Sequence, residues 1–270
     1  MLHTYHKVLD LFFTILIFLL DIPQLLWKMS ILGNLKVVKQ IFVFIKQEKL
    51  SVDDMGVESS DSNLADCKFS DNGRTLFMEA ALKGRVHVCE YLVKKQNTNV
   101  NARDHDESTA LILAAYHNNL RAVKLLLNYD VNIKAKNKDG SHAAYIAALH
   151  GNIQILKALV EKDKDVIDIK AGRGTTPLIG ATMRSQFEVC KYLCEEMKAD
   201  VNIQNDRGYT ALFWAVFCNK IRIVDLLINN DAKLLNKTYQ QQLLTIARKN
   251  KNSDIVKKLE EHFKVSKRRK

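Results

Sequence analysis

The 270-residue chain is 47% hydrophobic and 26% charged, a balance that is typical of a globular protein and excludes a disordered or fibrous one. Only 2 prolines and 10 glycines argue against an all-β sandwich or barrel, since those folds need frequent turns. The net charge of +11 is uneven: residues 248–270 hold ten basic and three acidic residues, whereas residues 48–71 hold two basic and seven acidic ones. The five cysteines are scattered and form no CxxC motif, so neither a disulfide framework nor a zinc site is indicated. A reducing compartment is therefore expected.

Residues 1–21 contain the most hydrophobic stretch of the chain, residues 8–20. Its uninterrupted apolar part is ten residues long, Leu11–Leu20, whereas a helix that spans a bilayer needs about 20. A secretory signal is matched in part, but Asp10 interrupts the apolar run and no Ala-x-Ala cleavage site follows. We interpret the segment as a helix that caps the first helix pair. The alternatives are a signal or membrane-associated segment, or an extension upstream of a start at Met29.

The next two segments differ sharply in composition. Residues 22–46 predict a divergent first helix pair, with Gly33 at the turn and the sequence GNLKVVKQIF at the start of the second helix. Residues 47–70 are acidic and rich in Ser and Asp, and we predict that they form a flexible loop.

Residues 71–237 consist of five copies of one pattern. The copies open at Thr75, Thr109, His142, Thr176 and Thr210, at spacings of 34, 33, 34 and 34 residues. Each opening predicts a short helix capped by the Thr hydroxyl, and the apolar run that follows, such as VHVCEYLV, predicts a second amphipathic helix. A single pair cannot bury its apolar side, so the pairs must stack. The five repeats are expected at about 71–103, 104–136, 137–170, 171–204 and 205–237.

The period and the TPLI and TALF openings resemble ankyrin repeats, over roughly residues 70 to 262. The resemblance implies an all-α ankyrin-repeat solenoid of stacked helix-turn-helix units with β-turn fingers. His142 stands where the family has Thr, and Ser185 stands where it has the glycine of the helix–helix turn, so these repeats are expected to be less stable. Residues 238–262 predict a polar C-terminal capping repeat, and residues 263–270 a basic tail.

No catalytic, cofactor-binding or metal-binding motif is found. The chain has no GxGxxG, GxxxxGK[ST], HExxH or GxSxG pattern, and its histidines are spread over different repeats. Cys89, Cys190 and Cys194 occupy positions where small apolar residues are expected, so burial is favoured over reactivity. The sequence therefore predicts a protein that is not an enzyme and uses no cofactor or small-molecule substrate.

The resemblance implies a partner-binding concave face made of finger tips and of the residues that follow the Ala pair of each first helix. An apolar column and a neighbouring cationic column cross the repeats there. The alternative is that the apolar column packs beneath the fingers and only stabilises the stack. The candidate residues are Arg74, Leu82, Lys83, His105, Asp106, Tyr116, His117, Lys138, Asp139, Leu149, His150, Arg173, Met183, Arg184, Asp206, Arg207, Tyr209 and Phe217.

These features predict a monomeric, cytoplasmic adaptor or scaffold whose protein partner has an apolar stripe and acidic flanks, such as an amphipathic helix or an extended peptide. The alternative is a membrane-associated or exported protein, directed by residues 8–20, that engages a host or cytoplasmic protein. Nucleic-acid binding is disfavoured because the finger charges alternate in sign. The basic tail is expected to be a solvated end, with nuclear import or anchoring to an acidic surface as alternatives.

Overall fold

The computed structural model describes residues 22–47, 64–68, 71–233 and 235–268. The predicted apolar segment 1–21 and most of the predicted acidic loop lie outside these ranges. Within them the protein consists of fourteen α-helices and no β-strand, with one isolated antiparallel bridge between Lys68 and Thr75. It is thus a mostly helical repeat fold, as the sequence predicts. The helices are α1 (Ile22–Leu32), α2 (Leu35–Gln47), α3 (Leu76–Leu82), α4 (Val86–Gln96), α5 (Ala110–Tyr116), α6 (Leu120–Leu126), α7 (Ala143–His150), α8 (Ile153–Lys162), α9 (Pro177–Met183), α10 (Phe187–Lys191), α11 (Ala211–Phe217), α12 (Ile221–Asn229), α13 (Lys237–Lys249) and α14 (Ser253–Arg268).

The chain divides into two compact units, with the boundary between Asn132 and Ile133. In unit 1, α1, α3 and α5 lie side by side as a layer of first helices, and α2, α4 and α6 form a layer of second helices. In unit 2, the first-helix layer is α7, α9, α11 and α13, while α10, α12 and α14 pack together as second helices and α8 packs on α7. Each unit is therefore built of helix pairs that cover their neighbours.

Small and apolar side chains explain why the pairs pack closely. The Ala pairs of the first helices, such as Ala80 and Ala81 of α3, are fully buried. On α4 the side chains of Val88, Cys89 and Leu92 are also fully buried; these positions, i, i+1 and i+4, lie on one side of an amphipathic helix. Truncating a buried leucine of this kind to alanine costs about 2–5 kcal/mol of stability. Burial of one helical side thus holds each pair in its layer.

The predicted caps form at most of the repeat openings. The hydroxyls of Thr75, Thr109 and Thr176 accept hydrogen bonds from the backbone N–H three residues later, at 3.3, 3.4 and 3.3 Å. At His142 the ring Nδ1 takes over this role and accepts from the corresponding N–H at 3.4 Å. Thr210 does not cap α11; its hydroxyl hydrogen-bonds the tyrosine hydroxyl of α13 at 2.7 Å instead.

The C-terminal part is helical beyond the predicted capping repeat. The helix α13 begins after Asn236, whose side chain accepts from the N–H of Tyr239 at 2.8 Å. The helix α14 continues to Arg268 and therefore includes most of the segment predicted as a tail.

Candidate functional site

In unit 1, the ends of two neighbouring first helices differ in exposure. Tyr116, the last residue of α5, is 56% exposed, and its ring meets the ring of His117 edge-on with 5.3 Å between centroids. Leu82 has the equivalent position on α3 but is 5% exposed, because α3 packs between α1 and α5. The prediction that the apolar column is exposed is therefore wrong at Leu82, which belongs to the core.

Basic residues follow these helix ends. Lys83 and His117 are both exposed. Partial burial lowers the pKa of the His117 ring, and the positive charges of Lys83 and Arg74 lower it further. At neutral pH the fixed positive charge at this edge of unit 1 therefore lies on Lys83.

In unit 2, three apolar residues hold equivalent positions near the ends of adjoining helices. Leu149 and Met183 are half-buried, whereas Phe217 is 55% exposed. The helices that carry them, α7, α9 and α11, pack side by side, so the three residues form one apolar row. The next residues, His150 and Arg184, are exposed. Unit 2 thus places an apolar row beside two basic side chains.

An aromatic cluster supports the exposed end of this row. The rings of Tyr209 and Phe213 are stacked, with centroids 3.8 Å apart and planes inclined by 9°. Phe213 also stacks on Phe217 at 6.2 Å, and Trp214 meets Phe217 edge-on at 5.6 Å. Because two rings contact it, Phe217 is held in place before any partner arrives. Phe213 and Trp214 are not among the candidates predicted from the sequence. Their spacing of four and three residues from Phe217 indicates contact along one helix.

A cavity of about 390 Å³ opens beside this cluster. Tyr209 and Phe213 form its aromatic wall. The other residues that line the cavity belong to the helix α13: Thr238, Gln241, Gln242, Thr245 and Ile246. The lining is neutral and combines ring faces with amide and hydroxyl groups, which is a surface suited to a peptide segment.

The finger residue Arg74 forms ion pairs with side chains of its own unit. The guanidinium of Arg74 donates to Asp104 Oδ2 at 3.2 Å and to Glu79 Oε1 at 3.3 Å. The side chains of Asp104 and Glu79 are only 1% and 6% exposed. Asp104 also accepts from the backbone N–H groups of Asp106 and Ser108, so it organises the second finger. Arg74 therefore pairs with buried carboxylates and has a structural role, and its contact with a partner stays a prediction.

The other finger candidates reach solvent. Tyr209 is half-buried in the aromatic cluster. Arg173 has a left-handed backbone conformation, with φ of 59°. The carbonyl of Arg173 accepts a hydrogen bond from the N–H of Asp206 at 3.1 Å, which connects two fingers of unit 2. The exposed finger side chains are His105, Asp106, Lys138, Asp139, Arg173, Asp206 and Arg207.

Three of the cysteine side chains are buried thiols with a raised pKa. Burial raises the pKa of Cys89 and Cys194 to about 12 and that of Cys190 to about 11, so these side chains are protonated thiols at neutral pH. In the part of the chain that the structure describes, no three His, Cys, Asp or Glu side chains lie close enough to hold a metal ion. None of the helices in that part has the length and apolarity needed to cross a bilayer.

Comparison with known proteins places these features in a family. A family model described as "Ankyrin repeats (3 copies)" matches residues 26–137, 129–205 and 197–269. A stretch of 59 residues is also similar, at 39% identity, to α-latrotoxin-Lg1a of Latrodectus geometricus. That stretch covers 21% of this chain and 4% of the toxin's length.

Proposed function

The chain belongs to the ankyrin-repeat family, and we propose that it is a non-catalytic adaptor or scaffold that binds a protein partner on its first-helix ends and fingers. Ankyrin repeats are generally protein–protein interaction modules and typically have no catalytic activity. In the family the face that carries these elements is the concave one. We propose that the protein does not associate with copies of itself and is a monomer.

The observation that supports this proposal most strongly is Phe217. Its side chain is 55% exposed although two aromatic rings hold it in place. Covering about 100 Å² of such a ring contributes about 2.5 kcal/mol. Tyr116 of unit 1 offers a similar area at 56% exposure. Aromatic residues that are rigid and exposed are the side chains that dominate binding energy at protein interfaces.

The neighbouring basic residues define the chemistry of the partner. Lys83 follows the end of α3 in unit 1, and His150 and Arg184 lie beside the apolar row of unit 2. On either unit, a complementary segment would present apolar side chains to the exposed ring and acidic side chains to the basic residues. An amphipathic helix or an extended peptide with acidic flanks has this composition.

Two variants test the proposal. Tyr116→Ala/Phe217→Ala removes the two exposed rings, whereas Val43→Ala removes an apolar side chain, 52% exposed, from the second helix α2. Proteins captured by the intact chain are identified by mass spectrometry, and the affinity of each purified partner is then measured for both variants. We expect binding to weaken at least tenfold for the first variant and less than twofold for the second. Equal binding by both variants would refute the assignment of the surface.

The location in the cell is part of the proposal. We propose a cytoplasmic protein, and the alternative is membrane association or export through residues 8–20. Fractionation of cells that express the chain with and without residues 1–28 distinguishes the two. A soluble pool that is unchanged by the deletion supports the cytoplasmic assignment, whereas a shift from membrane or medium into the cytosol supports the alternative.

A further inference from the structure

Unit 1 carries a row of basic residues at the starts of its second helices, a few residues after the first-helix ends discussed above. Lys36, His87 and Arg121 are the second residues of α2, α4 and α6. All three side chains are exposed. Because α2 and α6 both pack against α4, the three positions follow one another across the layer.

A cavity of about 340 Å³ lies along this row. Arg85, His87 and Arg121 provide its polar lining, and the remaining walls are glycine backbone and the apolar residues Leu32, Val86 and Val88. Arg85 Nε donates to the carbonyl of Ile31 at 2.8 Å, which fixes the guanidinium at the edge of the cavity. The cavity is thus lined by both basic and apolar residues.

The basic residues of this row form no ion pair within the described part of the chain. None of the ion pairs formed there within 4.0 Å includes Lys36, Arg85, His87 or Arg121. No carboxylate lines the cavity. Glu90, one turn after His87 on α4, is paired with Lys94 at 2.5 Å and also interacts electrostatically with His87. An acidic ligand would therefore meet Lys36 and Arg121, which no described carboxylate pairs with.

The helix pair itself does not require basic residues at this register. The second residues of α8, α10, α12 and α14 in unit 2 are Gln154, Glu188, Arg222 and Asp254. Arg222 lies over the ring of Phe187, 3.9 Å from its centroid, and so has a packing role. Within the described residues, only unit 1 has a basic residue at the second position of every second helix.

We propose that the Lys36–His87–Arg121 row binds an extended acidic peptide segment of a partner protein, with carboxylates at every third residue. Packed helices lie about 8–10 Å apart, and a peptide in the extended polyproline II conformation has three residues per turn and rises about 3.1 Å per residue, so every third side chain lies on the same side of the peptide at intervals of about 9 Å. Three carboxylates in that register would each meet one basic residue. Leu32, which is 63% exposed beside the cavity, would contact an apolar side chain of the same segment.

Fluorescence anisotropy of the full chain with labelled peptides tests this proposal. The probe repeats Glu-Ser-Gly four times, and two control peptides carry either Gln in place of Glu or the same four Glu residues side by side. We expect the spaced Glu peptide to bind more tightly than both controls at about 50 mM salt and to weaken as salt increases. Equal binding of the clustered Glu peptide would overturn the argument from spacing.

Matched variants locate the binding. Lys36→Gln/Arg121→Gln removes two charges from the row, and Lys95→Gln/Lys124→Gln removes two exposed charges elsewhere on unit 1. We expect the first variant to bind the spaced peptide at least about fivefold more weakly and the second less than twofold. Every variant keeps the basic C-terminal residues, so a contribution from that end cancels. Equal weakening in the two variants would overturn the proposal.

Two further measurements distinguish this row from the first-helix ends and from a nucleic-acid site. The Tyr116→Ala/Phe217→Ala variant should bind the spaced peptide like the unmodified chain, so failure of the proposed function and failure of this inference give different results. Tighter binding of a single-stranded RNA oligonucleotide than of the peptide, lost in Lys36→Gln/Arg121→Gln, would overturn the peptide assignment in favour of nucleic acid. Circular dichroism confirms that each variant is folded, as expected for exposed side chains.

Discussion

His142 makes the stability of unit 2 depend on pH. Its side chain is fully buried, Nδ1 accepts from the N–H of Tyr145 at 3.4 Å, and Nε2 donates to the carbonyl of Ile169 at 3.1 Å. The ring is therefore neutral in the folded protein. Burial is the main reason why the pKa of His142 falls from 6.5 to about 4, and the charge of Lys136 lowers it further.

The sign and size of the effect follow from this pKa. Below pH 6.5 the unfolded chain binds a proton that the folded chain does not, so stability is lost as pH falls and the loss levels off below the folded pKa of about 4. At about 1.4 kcal/mol per pKa unit, the full loss is about 3 kcal/mol, of which about 2 kcal/mol has occurred at pH 5. His142→Thr keeps a capping oxygen but removes the titrating group.

Urea unfolding at pH 7.5 and pH 5.0 measures this difference. A Trp27→Phe background leaves Trp214 as the single tryptophan, so fluorescence reports unit 2, which contains His142. Between the two pH values, we expect the free energy of unfolding to fall by about 2 kcal/mol more in the unmodified chain than in His142→Thr. The control variant His87→Gln lacks an exposed histidine but keeps His142, so its free energy of unfolding should fall as much as that of the unmodified chain. Equal losses with and without His142 would refute the reasoning.

Three other predictions concern the backbone, the fingers and the thiols. Ser185 has a left-handed backbone with φ of 59°, so Ser185→Gly should raise the free energy of unfolding by about 1 kcal/mol in urea titrations, and no gain would contradict the assigned strain. Asp104→Asn removes the charge of one of the two buried carboxylates that pair with Arg74, so it should cost about 2–4 kcal/mol in thermal unfolding; a cost below about 0.5 kcal/mol would show that the ion pair is not structural. Disulfide-exchange labelling at pH 8 should modify Cys218, which is half-buried, before Cys190, and the reverse order would contradict the burial.

The sequence predicts the repeat architecture because the signals for it are local. A Thr hydroxyl reaches the N–H three residues later whatever surrounds it, so the caps at Thr75, Thr109 and Thr176 are predictable from the residue type and its place in the repeat. The exception at Thr210 is not predictable in this way, because its hydroxyl binds Tyr239, 29 residues away. For His142 the sequence indicates only a weaker repeat, since it does not reveal that a ring nitrogen lies in capping position.

The binding surface is harder to predict, because exposure depends on neighbouring helices. Leu82 and Tyr116 occupy the same repeat position, yet one is buried and the other is 56% exposed. The charge of Arg74 is visible in the sequence and suggests a partner, whereas the buried carboxylates of Glu79 and Asp104 that bind it are brought together only by folding. The aromatic support of Phe217 likewise combines a finger residue with a helix.

Photo-crosslinking tests the central claim, that exposed first-helix ends bind a protein. A benzoyl-phenylalanine is introduced at Phe217 in one version of the chain and at Val43, which is similarly exposed on a second helix, in another. Both versions are irradiated with the partner identified by capture. We predict a covalent adduct with the partner from position 217 and none from position 43. Adducts from position 43 with none from position 217 would contradict the claim.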